Sequence, residues 1–129
     1  MDILGIGVDL VEVARIERAM ARHEGFVSRV FSSRERERCE GCKRPGRRYA
    51  ACFAAKEAAA KALGTGVKGF SWPELEMLTA ENGAPYMELS GNAREVAERR
   101  GVEEIMVSVS HSGDMAVAVA QAIGGGSRP

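Results

Sequence analysis

The sequence predicts an α+β fold in one domain: a small antiparallel sheet packed on a long central helix. Three observations carry this reading. The elements run strand, three helices, two strands, helix, two strands, without the regular alternation of a doubly wound sheet. The four later strand-like runs come in pairs joined by short turn signals, which makes hairpins. The stretch from Arg47 to Leu63 is the longest helical signal, and its centre, Ala50 to Ala55, is apolar nearly all round, so other elements must surround it.

In chain order, Ile3 to Val8 reads as a buried strand whose Gly5 and Gly7 let another backbone come close, and it ends at Asp9. Val13 to His23 is helical, with Val13, Ile16, Ala19, Met20 and His23 on one face and Arg15, Arg18 and Arg22 as a basic stripe. Ser32-Ser33-Arg34-Glu35 fits a capping box, so a second helix starts there and runs to about Glu40. Gly41, Pro45 and Gly46 read as a break. The alanine-dense helix Arg47 to Leu63 follows, with Gly64 at its C-terminal cap. Glu74 to Thr79 and Pro85 to Leu89 are strands joined across Asn82-Gly83. Asn92 to Arg100 is a short helix stopped by Gly101. Ile105 to Ser110 and Met115 to Ala122 are strands linked by His111-Ser112-Gly113-Asp114. Residues 1–123 make the domain, and 124–129 read as a disordered tail.

Eighteen Lys and Arg balance eighteen Asp and Glu, so no global field draws nucleic acid, and any charged partner must be met by a local patch. No apolar run approaches the roughly 20 residues that cross a membrane. The N-terminus lacks a basic n-region, which leads us to expect a cytoplasmic enzyme. Cys39, Cys42 and Cys52 lack the fourth ligand of a zinc site and read as free thiols.

Asp9, emerging from a buried strand, reads either as a helix cap or solvated loop acid, or as a ligand. Glu57 is harder to leave unexplained. A carboxylate in an apolar helix must be paired, hydrogen-bonded or bound to metal. Lys61, four residues on, offers an intrahelical ion pair worth only about 0.3–0.5 kcal/mol, so a functional site is the better account. Asp9 and Glu57 together would make a hard oxygen pair suited to Mg²⁺, which keeps waters and binds substrate phosphates. Gly64-Thr65-Gly66 is either a plain cap turn or a loop whose amides reach a phosphate; its spacing from Lys61 is wrong for a P-loop. His111, flanked by Ser110 and Ser112, is either a turn histidine or an anion contact.

Three segments together resemble the holo-acyl-carrier-protein synthase family of 4′-phosphopantetheinyl transferases, in its short, single-domain bacterial form. They are Gly5-Ile6-Gly7-Val8-Asp9-Leu10-Val11-Glu12, then Phe53-Ala54-Ala55-Lys56-Glu57-Ala58-Ala59-Ala60-Lys61 through Gly66, and Val107-Ser108-Val109-Ser110-His111-Ser112. Asn82-Gly83-Ala84-Pro85 is similar to the family's Gly-x-Pro hairpin. The resemblance implies transfer of phosphopantetheine from coenzyme A to an acyl-carrier-protein serine, in fatty-acid or related biosynthesis. It implies Mg²⁺ on Asp9 and Glu57, Lys61 near the phosphates, and His111 and Ser112 at the adenosine 3′-phosphate. It also implies a homotrimer with shared active sites, and carrier docking on Arg15 and Arg22, to which the stripe adds Arg18. The family carries Arg where this chain has Cys52; Arg48, one turn earlier, is the expected substitute in coenzyme A binding. Two competing readings are a non-catalytic module that binds an acidic helix through the arginine stripe and a Mg-dependent phosphohydrolase using the same carboxylates.

Overall fold

The computed structural model describes residues 1–64 and 68–125. Strand β1 (Asp2–Glu12) leads into α1 (Val13–Arg22), α2 (Phe26–Val30), α3 (Ser33–Glu40) and α4 (Pro45–Ala62). A 3₁₀ turn at Trp72–Glu74 precedes β2 (Leu75–Thr79) and β3 (Pro85–Leu89). Helix α5 (Gly91–Arg99), β4 (Val102–Ser112) and β5 (Met115–Gly124) complete the regular elements of the described residues. The sheet order is β1-β5-β4, all antiparallel, with β2-β3 as a separate hairpin alongside.

The α+β class and the central helix are as expected; several boundaries are not. β1 continues past Val8 because its pairing with β5 runs on to Glu12, so Asp9 lies inside the strand, opposite Ala118, rather than after it. α4 begins at Pro45, not Arg47. Proline at the first helical position has a suitable φ and no amide to satisfy. Gly46 is tolerated because the Glu17 carboxylate of α1 occupies the space a Cβ would need. The expected capping box is present: the Glu35 amide donates to Ser32 Oγ at 3.2 Å, and the Ser32 amide donates to Glu35 Oε1 at 2.9 Å. β4 runs through His111 and Ser112, leaving a two-residue turn, Gly113-Asp114, with Gly113 at φ 59°. Gly124, assigned to the tail from sequence, closes β5 opposite both Asp2 and Val102; residues 126–129 lie outside the described ones.

Small residues set the separation between helix and sheet. Ala116, Ala118, Ala120 and Ala122 form a fully buried column down β5. Ala54, Ala55, Ala58, Ala59 and Ala62 of α4 are buried too. A Cβ on Gly5 would strike Ala62 O and one on Gly7 would strike Ala58 O, so the anticipated close backbone approach is that of β1 to α4. Among the described residues no helix covers the opposite face of the sheet. Ile6, Val8 and Leu10 of β1 are 65%, 56% and 60% exposed there, beside Val119 of β5 and Met106 of β4.

Candidate active site

Alternation along β1 puts Gly7, Asp9 and Val11 on the side of α4. That brings Asp9 to the turn of α4 carrying Glu57 and Lys61. Lys61 Nζ donates to Val8 O at 2.9 Å and stands 3.4 Å from Asp9 Oδ1. It therefore turns across to the strand instead of forming the intrahelical pair with Glu57. Burial pushes the Glu57 carboxyl above the usual carboxylate range, the charge of Asp9 adds to this, and Lys61 and Arg15 oppose it. Asp9, Glu57, Lys61 and Arg15 are thus one electrostatic cluster. Arg15 is exposed, as are Arg18 and Arg22 along the same helix face.

One feature of this cluster escaped the sequence reading. Phe53, four residues before Glu57 and so on the same helix face, is half-buried. Its ring lies 6.4 Å from that of Phe26 and 5.9 Å from that of Trp72. The i, i+4 spacing of Phe53 and Glu57 was the available signal.

The other expected site residues lie elsewhere within the chain. His111 Nε2 donates to Arg47 O at 3.1 Å. Arg47 precedes Glu57 by ten residues of helix, about 15 Å along the axis. Ser112 is exposed and points to the face away from α4. Arg48 precedes Glu57 by nine residues, about 900° of helical rotation, which puts it on the opposite side of α4. It donates to Thr79 Oγ1 at 3.3 Å and lines an open basic cavity of 850 Å³ with Arg34, Arg38, Gly83 and Tyr86. Gly64 ends α4 with φ 82°; Thr65 and Gly66 lie outside the described residues.

The most buried charge on α4 is not Glu57 but its neighbour. Lys56 has no exposed surface and donates to Glu35 Oε1 and Leu75 O, both at 2.8 Å. Glu35 also accepts from the Met77 amide at 2.8 Å, the Ser32 amide at 2.9 Å and the Cys52 thiol at 3.2 Å. Cys52 is thus held inside the packing of α3 and α4, where hydrogen bonding with Cys39 and then burial push its thiol well up. This hub fixes α4 against α3 and β2.

Chemically, Asp9 and Glu57 suit a hard divalent cation. They are oxygen donors close enough for one charge to raise the other's pKa, a cost that a cation between them would remove. Among the described residues no cluster of three or more His, Cys, Asp or Glu side chains could hold a metal. A two-carboxylate pair instead matches an ion that completes its shell with water and substrate phosphate.

The model of the 4′-phosphopantetheinyl transferase superfamily matches residues 5–120. Holo-[acyl-carrier-protein] synthase from Desulforudis audaxviator is 48% identical over 95% of this chain and 94% of its own length. That from Caldanaerobacter subterraneus subsp. tengcongensis is 41% identical over 93% and 94%. The solved Neisseria meningitidis holo-[acyl-carrier-protein] synthase superposes with a TM-score of 0.87 at 30% identity, covering 95% of this chain and 99% of that one. The Helicobacter pylori enzyme, solved in complex with coenzyme A, gives 0.79 at 30% identity over 92% and 99%.

Proposed function

This chain belongs to the 4′-phosphopantetheinyl transferase superfamily, and from that membership we propose that it transfers phosphopantetheine from coenzyme A to a serine of apo-acyl carrier protein. 3′,5′-ADP is the other product, and fatty-acid or related biosynthesis is the setting. The observation that carries the proposal is the convergence of Asp9, Glu57 and Lys61 from two elements onto one point.

In the proposed reaction the carrier serine Oγ attacks the coenzyme A phosphorus that bears the pantetheine. A new P–O bond forms, the bond to the bridging pyrophosphate oxygen breaks, and that oxygen leaves with 3′,5′-ADP. Glu57 is the proposed acceptor of the serine proton; a carboxyl raised by burial is better matched to that task than an exposed one. Lys61 sits where it can offset charge on the departing oxygen. Asp9 and Glu57 would hold Mg²⁺, which when bound neutralises the pyrophosphate. The exposed Arg15, Arg18 and Arg22 form the dock for an acidic carrier, with the half-buried Phe26 and Phe53 as its apolar part.

The remaining expectations fit a shared site. The basic cavity at Arg48 and the His111–Ser112 end are proposed to bind the phosphate-rich adenosine of a coenzyme A whose pyrophosphate lies on another copy's Asp9 and Glu57. The uncovered sheet face bearing Ile6, Val8 and Leu10 is the proposed contact between copies, in a homotrimer. Among the described residues no helix is long and apolar enough to cross a membrane. The three free thiols suit a reducing compartment, and we place the protein in the cytoplasm.

The test is intact-mass measurement of apo-carrier protein incubated with coenzyme A, Mg²⁺ and this protein. A gain of one phosphopantetheine, with 3′,5′-ADP released only when carrier is present, is expected. No mass gain would leave a binding module, and 3′,5′-ADP released without carrier would mean a phosphohydrolase.

A further inference from the structure

We infer that Arg100 is a further phosphate-binding residue for coenzyme A, acting over the C-terminal end of α4; the inference rests on the transferase reading above. Gly64 closes α4 one turn after Lys61 and has φ 82°. A Cβ built on Gly64 would lie 2.9 Å from Arg100 Nη1 and 3.6 Å from Cζ. The guanidinium therefore covers the last turn of the helix, next to the turn bearing Lys61.

The position of Arg100 is fixed by its own backbone. Its amide donates to Val96 O and Ala97 O at 3.3 and 3.1 Å, closing α5. Two residues on, Val102 starts β4 opposite Gly124. Its side chain, by contrast, is not used by the fold among the described residues. It is exposed, and among the described residues it makes no hydrogen bond and no ion pair. It is not capping the open carbonyls of α4, the ordinary use of an arginine at a helix C-terminus. Five donors in a fixed fork are left available, and phosphate is the ligand that fork matches.

Electrostatics gives the reason for a cation there. The C-terminal end of a helix carries about half a negative charge and repels an anion held near it. Lys61 is already engaged with Val8 O and Asp9. A phosphate beside Lys61 thus meets the adverse end of α4, and Arg100 is placed to offset it. Arg100 would then add a second cation at the turn that follows Lys61.

The test compares the wild type with Arg100→Gln and Arg100→Lys. Calorimetry without metal gives Kd for coenzyme A and for 3′,5′-ADP; kinetics gives KM for coenzyme A and for carrier. Loss of one charge-assisted contact should raise the coenzyme A Kd and KM about tenfold in Arg100→Gln. Arg100→Lys should fall between, because it keeps the charge and loses the fork. The carrier KM and the melting temperature should hold. An unchanged coenzyme A Kd overturns the inference. So does a lower melting temperature with unchanged Kd, which would make Arg100 a dipole partner only. A rise confined to the carrier KM also overturns it, because Arg100 would then belong to the dock. A wild type that binds coenzyme A yet transfers nothing would sink the transferase reading while leaving Arg100 tested by its Kd. A wild type that binds none would overturn both.

Discussion

Replacing Lys56 by methionine isolates the polar hub beneath the active site. Methionine nearly reproduces the lysine stem, so the cavity contribution is small and the change is mainly electrostatic. Lys56 is fully buried and Glu35 is 2% exposed, so neither charge has water to fall back on. Glu35 would keep the Met77 and Ser32 amides and the Cys52 thiol but lose the cation paired with it. Stranding one member of a buried pair costs about 3–5 kcal/mol. That is a large part of a total of about 5–15 kcal/mol. Glu35→Gln added to Lys56→Met removes the stranded charge, and its amide oxygen can still accept from Met77 N–H. The double variant should therefore lose only about 1–2 kcal/mol, the scale of one or two imperfect hydrogen bonds. Urea unfolding followed by circular dichroism reads both. With m of about 1–3 kcal/mol/M, the single variant should move the midpoint by about 1 M or more. A single-variant loss below about 1 kcal/mol, or a double variant no better than the single, would refute the reasoning that an unpaired buried charge dominates.

Three further variants have expected outcomes. Glu57→Gln should fold and lose transfer, with near wild-type turnover in Mg²⁺ counting against its assignment. In metal-free protein the raised Glu57 pKa means that folding favours the protonated form; its contribution is fully present below the unfolded value of about 4.5 and is lost as pH rises through the folded one. Glu57→Gln should flatten that part of the stability–pH curve, and a curve identical to wild type would show that the carboxyl is not perturbed. Ile6→Asp, at a 65% exposed apolar position, should give monomer by sedimentation at micromolar concentration and little transfer; an active trimer would place the contact elsewhere. Arg15→Glu should raise the KM for carrier and leave that for coenzyme A nearly unchanged, with the wild-type carrier KM itself rising with salt as exposed pairs are screened over about 10 Å at 0.1 M. A carrier KM indifferent to both would reduce the stripe to a solvated face.

The long helix was readable because alanine density and a terminal glycine are local signals, and the capping box at Ser32 is equally local. From sequence alone Pro45 and Gly46 read as a break, since the partner that makes Gly46 fit, Glu17, is distant in sequence. The five-residue α2 has no capping side chain, only Gly25 at φ 86°, and gave no periodicity to detect. Within the site, Glu57 and Lys61 were found by the oddity of charge among alanines. Lys56 was passed over because, in a helix apolar all round, sequence cannot say which charge faces inward. Arg48 could have been set on the far side of α4 by counting helical rotation from Glu57. The separation of His111 from Glu57 follows from where β4 crosses α4, which is a matter of topology and has no local signature.

The alanine columns of α4 and β5 and the glycines of β1 make the protein's tolerance of change lopsided. Elsewhere in the core large side chains such as Phe31, Tyr49 and Leu75 can trade volume with their neighbours, but β1 and α4 meet backbone to backbone with almost nothing between. Ala118 sits between Asp9 and Val109 in the sheet and Ala58 lies against Gly7, so a residue the size of valine at Ala58 would have to move the helix off the strand. Because Glu57 rides on α4 and Asp9 on β1, which pairs with β5, added bulk in the columns would be felt first as a misplaced carboxylate and only then as lost stability. The chemistry is held in register by residues whose only property is being small.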